Sequence, residues 1–237
     1  MPKGIFVTAT DTGVGKTIVS AAIICALKRS GVMAGAMKPM ETGCAVENGI
    51  MVPADGSFLR AAAGMSDSID LVTPIRYKLP LAPYNAAIKE GGSFKLESVF
   101  KAYKQLSGRY DFMVVEGVGG VFVPLTRTAS GDIYFVTDLI KDLRIPAVVV
   151  TRLLLGTINH TLLTISRLHD EGIEVKGVIV SNSAPPQGSV AEETNIEALK
   201  ELCPVPVIGV LPWLENISTE NIAEKTAGCI DIGALKR

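Results

Sequence analysis

Short runs of consecutive apolar residues alternate along this chain with longer stretches of helical character. The runs are Ile5–Thr8, Val32–Lys38, Phe112–Glu116, Ala147–Thr151, Val175–Ser181 and Val207–Leu211. Several are apolar at successive positions, the pattern of strands buried on both faces. Helices are predicted over Thr17–Arg29, Ser57–Ala63, Leu96–Leu106, Ile133–Leu143, Ile158–Asp170 and Ala191–Leu202. This order predicts an α/β fold, a doubly wound and mainly parallel sheet with helices on both faces. Gly31, Gly108 and Gly172 stand near helix ends, where a left-handed cap residue is favoured. Pro146 and Pro206 open strands, where a missing N–H is tolerated.

Nothing in the pattern marks a domain boundary, so residues 1–237 are expected to form a single domain. The segment Ala184-Pro185-Pro186-Gln187-Gly188 follows a strand directly and reads as a loop at the sheet edge. Thr73–Ser93, rich in Pro and Gly, reads as a longer irregular insertion, and loops of that length are often lids or binding loops. Hydrophobic residues at 48% and charged residues at 20% support a packed core and exclude wholesale disorder. A formal net charge of -1, with no Lys/Arg run, excludes an electrostatic footprint for nucleic acid. Four cysteines without CxxC spacing and two histidines argue against a zinc site and for a reducing compartment. The apolar stretch Gly4–Ala9 stops at Thr10-Asp11, too short for a signal-peptide core and far short of the ~20 residues that span a bilayer. The expectation is a soluble, cytoplasmic protein with no membrane partner.

The chemistry begins at Thr10-Asp11-Thr12-Gly13-Val14-Gly15-Lys16-Thr17, between the first strand and the apolar helix that opens at Ile18. Strand, glycine-rich loop and helix in succession are what a phosphate-binding loop requires. Gly13 and Gly15 let backbone N–H groups converge on phosphate oxygens, and the helix start favours the anion. Lys16 can reach the terminal phosphates and the Thr17 hydroxyl can bind Mg²⁺. Thr10 occupies the first glycine position of the usual pattern.

A nucleotide site of this kind needs carboxylates at the ends of neighbouring parallel strands. Glu116 ends the run from Phe112 and is followed by Gly117-Val118-Gly119-Gly120, which puts it where Mg²⁺ and phosphates would sit. Asp55, in Pro53-Ala54-Asp55-Gly56-Ser57, reads from spacing alone as the cap of the helix that follows. Lys38 ends the second run, held extended by Pro39. A surface lysine is the ordinary reading there. If the second strand neighbours the first, however, Lys38 and Lys16 share one crevice, suited to moving negative charge between oxygens.

With these residues in hand, the chain resembles the dethiobiotin synthetase family. The phosphate loop, Lys38-Pro39-x-x-Thr42-Gly43, Glu116-Gly117-x-Gly119-Gly120, Gly156-Thr157-Ile158-Asn159-His160 and Pro212-Trp213-Leu214 follow in that family's order, from Phe6 to about Leu214. The resemblance implies a P-loop enzyme of biotin biosynthesis that uses ATP, Mg²⁺ and CO₂ to close the ureido ring of 7,8-diaminopelargonate. It implies Lys16 and Lys38 as catalytic cations, and Thr17, Asp55 and Glu116 as metal ligands. Nucleotide contacts would come from Gly13, Val14, Gly15, Ile18, Gly117, Val118, Gly119, Asn182, Pro212, Trp213 and Leu214. Thr12 and Thr42 would hydrogen-bond the substrate or its carbamate.

Family members are homodimers with substrate at the interface, which would bring Asn159 and the helix start at Thr157 to the partner's diamine carboxylate. Three positions depart from the family: Gly13 for a Glu, Ser183 for an Asp, and Leu154 for a Lys found in some members. The ribose-binding glutamate could be Glu215 or Glu220. The nearest rival is a partition-type dimerising ATPase, but Asp11 stands where such proteins carry a signature lysine. Cobalamin-synthesis amidoligases need a glutaminase module that this length does not provide.

Overall fold

A computed structural model describes residues 4–92 and 95–236 of the chain. The strands are β1 (Gly4–Ala9), β2 (Ala34–Met37), β3 (Met40–Thr42), β4 (Ala45–Glu47), β5 (Ile50–Val52), β6 (Ile75–Tyr77), β7 (Phe112–Glu116), β8 (Pro124–Arg127), β9 (Ile133–Phe135), β10 (Ala147–Thr151), β11 (Val175–Ser181) and β12 (Val207–Leu211). The helices are α1 (Lys16–Arg29), α2 (Ala54–Ala63), α3 (Ile69–Val72), α4 (Pro83–Lys89), α5 (Leu96–Ser107), α6 (Val136–Leu143), α7 (Thr157–Asp170), α8 (Val190–Leu202), α9 (Thr219–Lys225) and α10 (Ile232–Lys236).

The six strands expected from the apolar runs form one sheet in the order β12-β11-β10-β1-β7-β2, every pair parallel. The chain builds one side of β1 first and the other side afterwards. The order therefore reverses at β1, where open α/β sheets bind their ligands. All of β1, β7 and β10 is buried, which is why their sequences run apolar without alternation. Phe6, Ile23, Ile24 and Leu27 are among the large side chains with no exposed surface, tying α1 to the sheet. Among the described residues, no helix is long and apolar enough to cross a membrane.

Several expectations are corrected. β2 does not neighbour β1, because β7 lies between them. It is also shorter than Val32–Lys38: the Val32 N–H closes α1 onto Leu27 O, and the Lys38 N–H leaves the ladder for Val72 O. The predicted helix over Ile133–Leu143 is β9 followed by α6. Ile133-Tyr134-Phe135 pairs antiparallel with β8, and the Asp138 carboxylate accepts from the Phe135 N–H to start the helix. The supposed irregular insertion contains β6, paired with β3, and α4, opened by Pro83; its last residue, Ser93, lies outside the described residues. Gly31 and Gly172 take positive φ as caps, but Gly108 has φ −82 and stays right-handed, with the Arg109 N–H turning back to Leu106 O. Pro146 and Pro206 do precede strands, their carbonyls accepting from Phe6 and Val178.

One buried carboxylate locks the edge of the sheet. Asp67, between α2 and α3, accepts from Arg109 and from the Tyr110 hydroxyl, both just before β7. Asp67→Ala leaves both donors without this acceptor, and a loss of about 2 kcal/mol is expected, readable as a shifted urea midpoint with unchanged slope.

Candidate active site

The loop Thr10–Gly15 leaves β1 and enters α1 with Gly15 as N-cap, at φ 92 and ψ 25. No side chain caps α1, so its first N–H groups face outward, ready for an anion. Gly15 is needed twice over. Its backbone is left-handed, and a Cβ there would lie 2.4 Å from Ser181 Oγ at the end of β11. Lys16 is only 8% exposed and its ammonium donates to Asp11 O at 3.0 Å. Burial, together with the Lys38 ammonium, lowers its pKa to about 8, while Glu116, Asp55 and Asp11 pull the other way. An arriving phosphate would restore the full charge.

Lys38 sits just past β2, 3% exposed, and reaches over the end of β7. Its ammonium lies 2.5 Å from Glu116 Oε1, 3.2 Å from Asp55 Oδ2 and 3.2 Å from Gly117 O. The Thr17 hydroxyl donates to the same Glu116 oxygen at 2.9 Å. Burial opposes the charge on Lys38, but Glu116 and Asp55 outweigh it and hold its pKa above the ordinary lysine value. Glu116 is fully buried, and its Oε2 has no hydrogen-bond partner among the described residues. Glu116, Asp55 and the Gly117 carbonyl thus surround the Lys38 ammonium, with Thr17 joined to it through Glu116.

Asp55 is not the cap that its spacing suggested. α2 begins at Ala54, so Asp55 lies inside the first turn, and the N-cap position is Pro53, which offers no side-chain acceptor. The acceptor is Glu41 of β3: its Oε1 takes the Asp55 N–H at 3.0 Å and its Oε2 the Gly56 N–H at 2.9 Å. Burial pushes the Glu41 carboxyl above the usual range, partly offset by these two amides.

A cavity of about 400 Å³ joins most of the expected residues: Thr12, Gly13, Gly15, Lys16, Thr17, Ile18, Lys38, Thr42, Asp55, Glu116, Val118 and Gly119. Glu41 and Ser183 line it too. Val14 is buried behind the loop, and Gly117 packs so closely on Phe6 that a Cβ would lie 2.7 Å from its ring. Asn182 lies between the ends of β11 and β12, its N–H on Leu211 O. Beyond β12, Pro212 and Trp213 are exposed while Leu214 packs into the core. Thr12 also lines a second cavity, of about 750 Å³, with Phe122, His160, Leu163 and Arg167. Asn159 is exposed in the first turn of α7 and lines neither.

Comparison with known proteins decides the family. A domain profile described as an AAA domain matches residues 3–221. The ATP-dependent dethiobiotin synthetase BioD of Thermodesulfovibrio yellowstonii is 47% identical over 237 residues, covering 99% of each chain. The chain belongs to the dethiobiotin synthetase family. The proteins of that name from Bacillus velezensis and Methanocaldococcus jannaschii are 39% and 38% identical, over 98% and 91% of this chain and 96% and 97% of theirs. Solved structures share the fold at lower identity. The MinD cell division protein of Aquifex aeolicus has a TM-score of 0.54 at 18% identity, covering 94% of this chain and 88% of its own. A ParA family ATPase from Chlorobium tepidum has 0.53 at 11%, covering 98% and 92%.

Within this dethiobiotin synthetase relative, the departures have clear settings. Gly13 has φ 73 and meets nothing where a Cβ would stand, Ser183 faces the smaller cavity, and Leu154 is exposed beside Leu155. Glu220 opens α9 and lines a separate cavity with Cys25, Lys28 and Arg29, about 14 Å along α1 from Lys16 at 1.5 Å per residue. Only Glu215 lies in the loop leaving the carboxyl end of β12. Sequence reasoning missed Glu41, for which the acceptorless Pro53 ahead of a helix was the available signal. It also missed the hydroxyls of Thr10, Thr157 and Thr161, which all meet Thr151 Oγ1, at 3.4, 2.7 and 3.0 Å, beneath the phosphate loop.

Gly15→Ala is expected to weaken ATP binding at least about tenfold, from left-handed strain and the Ser181 contact. Titration of the sole tryptophan, Trp213, with nucleotide would measure it, and unchanged affinity would contradict the assigned close approach.

Proposed function

We propose that this chain closes the ureido ring of 7,8-diaminopelargonate with CO₂ and ATP, giving dethiobiotin, ADP and phosphate. Its family membership supports the activity, and the meeting of Lys16 and Lys38 in one cavity with Glu116 and Asp55 carries the residue-level reading. One neutral amine of the diamine adds to CO₂ and loses a proton, giving a carbamate anion. A carbamate oxygen then attacks the γ phosphorus as its bond to ADP breaks. The second amine attacks the carbamate carbon, loses a proton, and phosphate departs with the bond that held it.

The first step creates negative charge on the carbamate oxygens and the later ones pass it between oxygens, so catalysis is positioning and charge neutralisation. In this reading the N–H groups at the start of α1 and Lys16 hold the nucleotide's terminal phosphates. Lys38 stabilises the carbamate and the transferring phosphoryl group, with Thr12 and Thr42 as hydrogen-bonding partners of the substrate. Asn182 reads the base, Pro212–Leu214 form its far wall, and Glu215 is the ribose contact.

Mg²⁺ fits the residues present. Asp55 and Glu116 present oxygens that already converge on one cation, the Thr17 hydroxyl lies against the same Glu116 oxygen, and the unpartnered Glu116 Oε2 supplies a further lone pair. These three residues would hold the ion, which when bound offsets charge on the phosphate oxygens. A homodimer belongs to the same proposal. Phe122, Leu155 and Leu163 are exposed at 57%, 92% and 63%, near or lining the larger cavity, and a second copy would cover them and bring its Asn159 to the substrate tail. A cytoplasmic location suits the ATP supply and the four free thiols.

The direct test is purified protein with Mg-ATP, bicarbonate and the diamine. Diamine-dependent ADP release with a product one carbonyl heavier is expected, whereas a switch ATPase would hydrolyse ATP regardless of the diamine. Lys38→Gln should lower kcat at least about a hundredfold with unchanged circular dichroism; a fully active variant refutes the role of Lys38. Leu163→Asp should yield a monomer by light scattering with little turnover, and an active monomer would remove the interface from the proposal.

A further inference from the structure

Glu41 has no part in the chemistry just described, yet it is 6% exposed and lines the same cavity as Lys38 and Asp55. Its backbone is fixed in β3, paired with β6 through Glu41 opposite Arg76. The first turn of α2 leaves N–H groups that a local side chain would normally take. Pro53, at the N-cap position, cannot do so, and Glu41 reaches across from another element to accept from both Asp55 and Gly56. The helix start is also pressed tightly into place. A Cβ on Gly56 would lie 1.8 Å from Thr73 Oγ1, so only glycine permits this approach. The turn that carries Asp55 is thus held by a carboxylate on one side and by Thr73 on the other.

We propose that Glu41 is a positioning residue: by capping α2 from outside, it sets where the Asp55 carboxylate stands relative to Lys38 and Glu116. The inference rests on the reading of Asp55 as a metal ligand. Groups that orient a ligand, though they touch neither metal nor substrate, typically change metal affinity by about tenfold or more when removed.

The test uses the full chain and Mn²⁺ with ADP, bound ion being read as loss of the free-ion electron paramagnetic resonance signal. Glu41→Ala should weaken Mn²⁺ binding about tenfold, with Glu41→Gln, which keeps one acceptor, falling between it and the natural chain. Amide hydrogen exchange at Asp55 and Gly56, measured without metal, should speed up several-fold in Glu41→Ala. The deciding variant is Glu41→Ala combined with Pro53→Ser, which supplies a local cap; it should recover Mn²⁺ affinity to within about threefold of the natural chain. Unchanged exchange or unchanged affinity in Glu41→Ala overturns the inference. So does failure of the double variant to recover at an unchanged melting temperature, since Glu41 would then act by direct contact. Asp55→Asn separates the two levels. If it leaves Mn²⁺ affinity intact, the metal reading fails and takes the inference with it. If it weakens binding while Glu41→Ala does not, the inference alone fails.

Discussion

The site is organised around a buried ammonium. Lys38 and Glu116 are both withdrawn from water and lie 2.5 Å apart, with Asp55 and the Gly117 carbonyl completing the surroundings of the charge. Breaking one partner out of such a pair typically costs about 3–5 kcal/mol, because the survivor keeps its desolvation penalty without compensation. The arrangement therefore holds its geometry before any ligand arrives. It also means that the proposed Mg²⁺ and the Lys38 side chain compete for the same oxygens.

Much of the fold could be read from the pattern of residues, and the reason is burial. Phe112–Glu116, Ala147–Thr151, Val175–Ser181 and Val207–Leu211 match their strands residue for residue, since strands covered on both faces run largely apolar, with polar residues such as Glu116, Thr151 and Ser181 at their carboxyl ends. The errors fall where tertiary pairing decides. β3 with β6 and β8 with β9 are three- and four-residue pairs, too short for periodicity to announce. Ile133-Tyr134-Phe135 continues a plausible helix until its pairing with Pro124–Arg127 is known.

The site divides the same way. The phosphate loop and Glu116 were legible because each stands next to a strand end, where local order implies position. The contact of Lys38 with Glu116 was not, since it depends on which strand lies beside which. Asp55 was misjudged as a cap because the true cap, Glu41, lies fourteen residues earlier and meets it only through the fold. The threonine cluster around Thr151 was hidden for the same reason, its members coming from the phosphate loop, β10 and α7.

The strand that separates β1 from β2 sets a mechanical requirement on the cation itself. One step of about 4.8 Å parts the end of β2 from the end of β7, where the Lys38 ammonium meets Glu116 and the Gly117 carbonyl. Only a long, slender, unbranched arm can cross that gap above a carboxylate and still end in a charge small enough to nestle among three oxygens. Arginine, with its flat and wide head group, could match the sign of the charge but not the shape of the berth. Lysine here is a choice of girth as much as of charge.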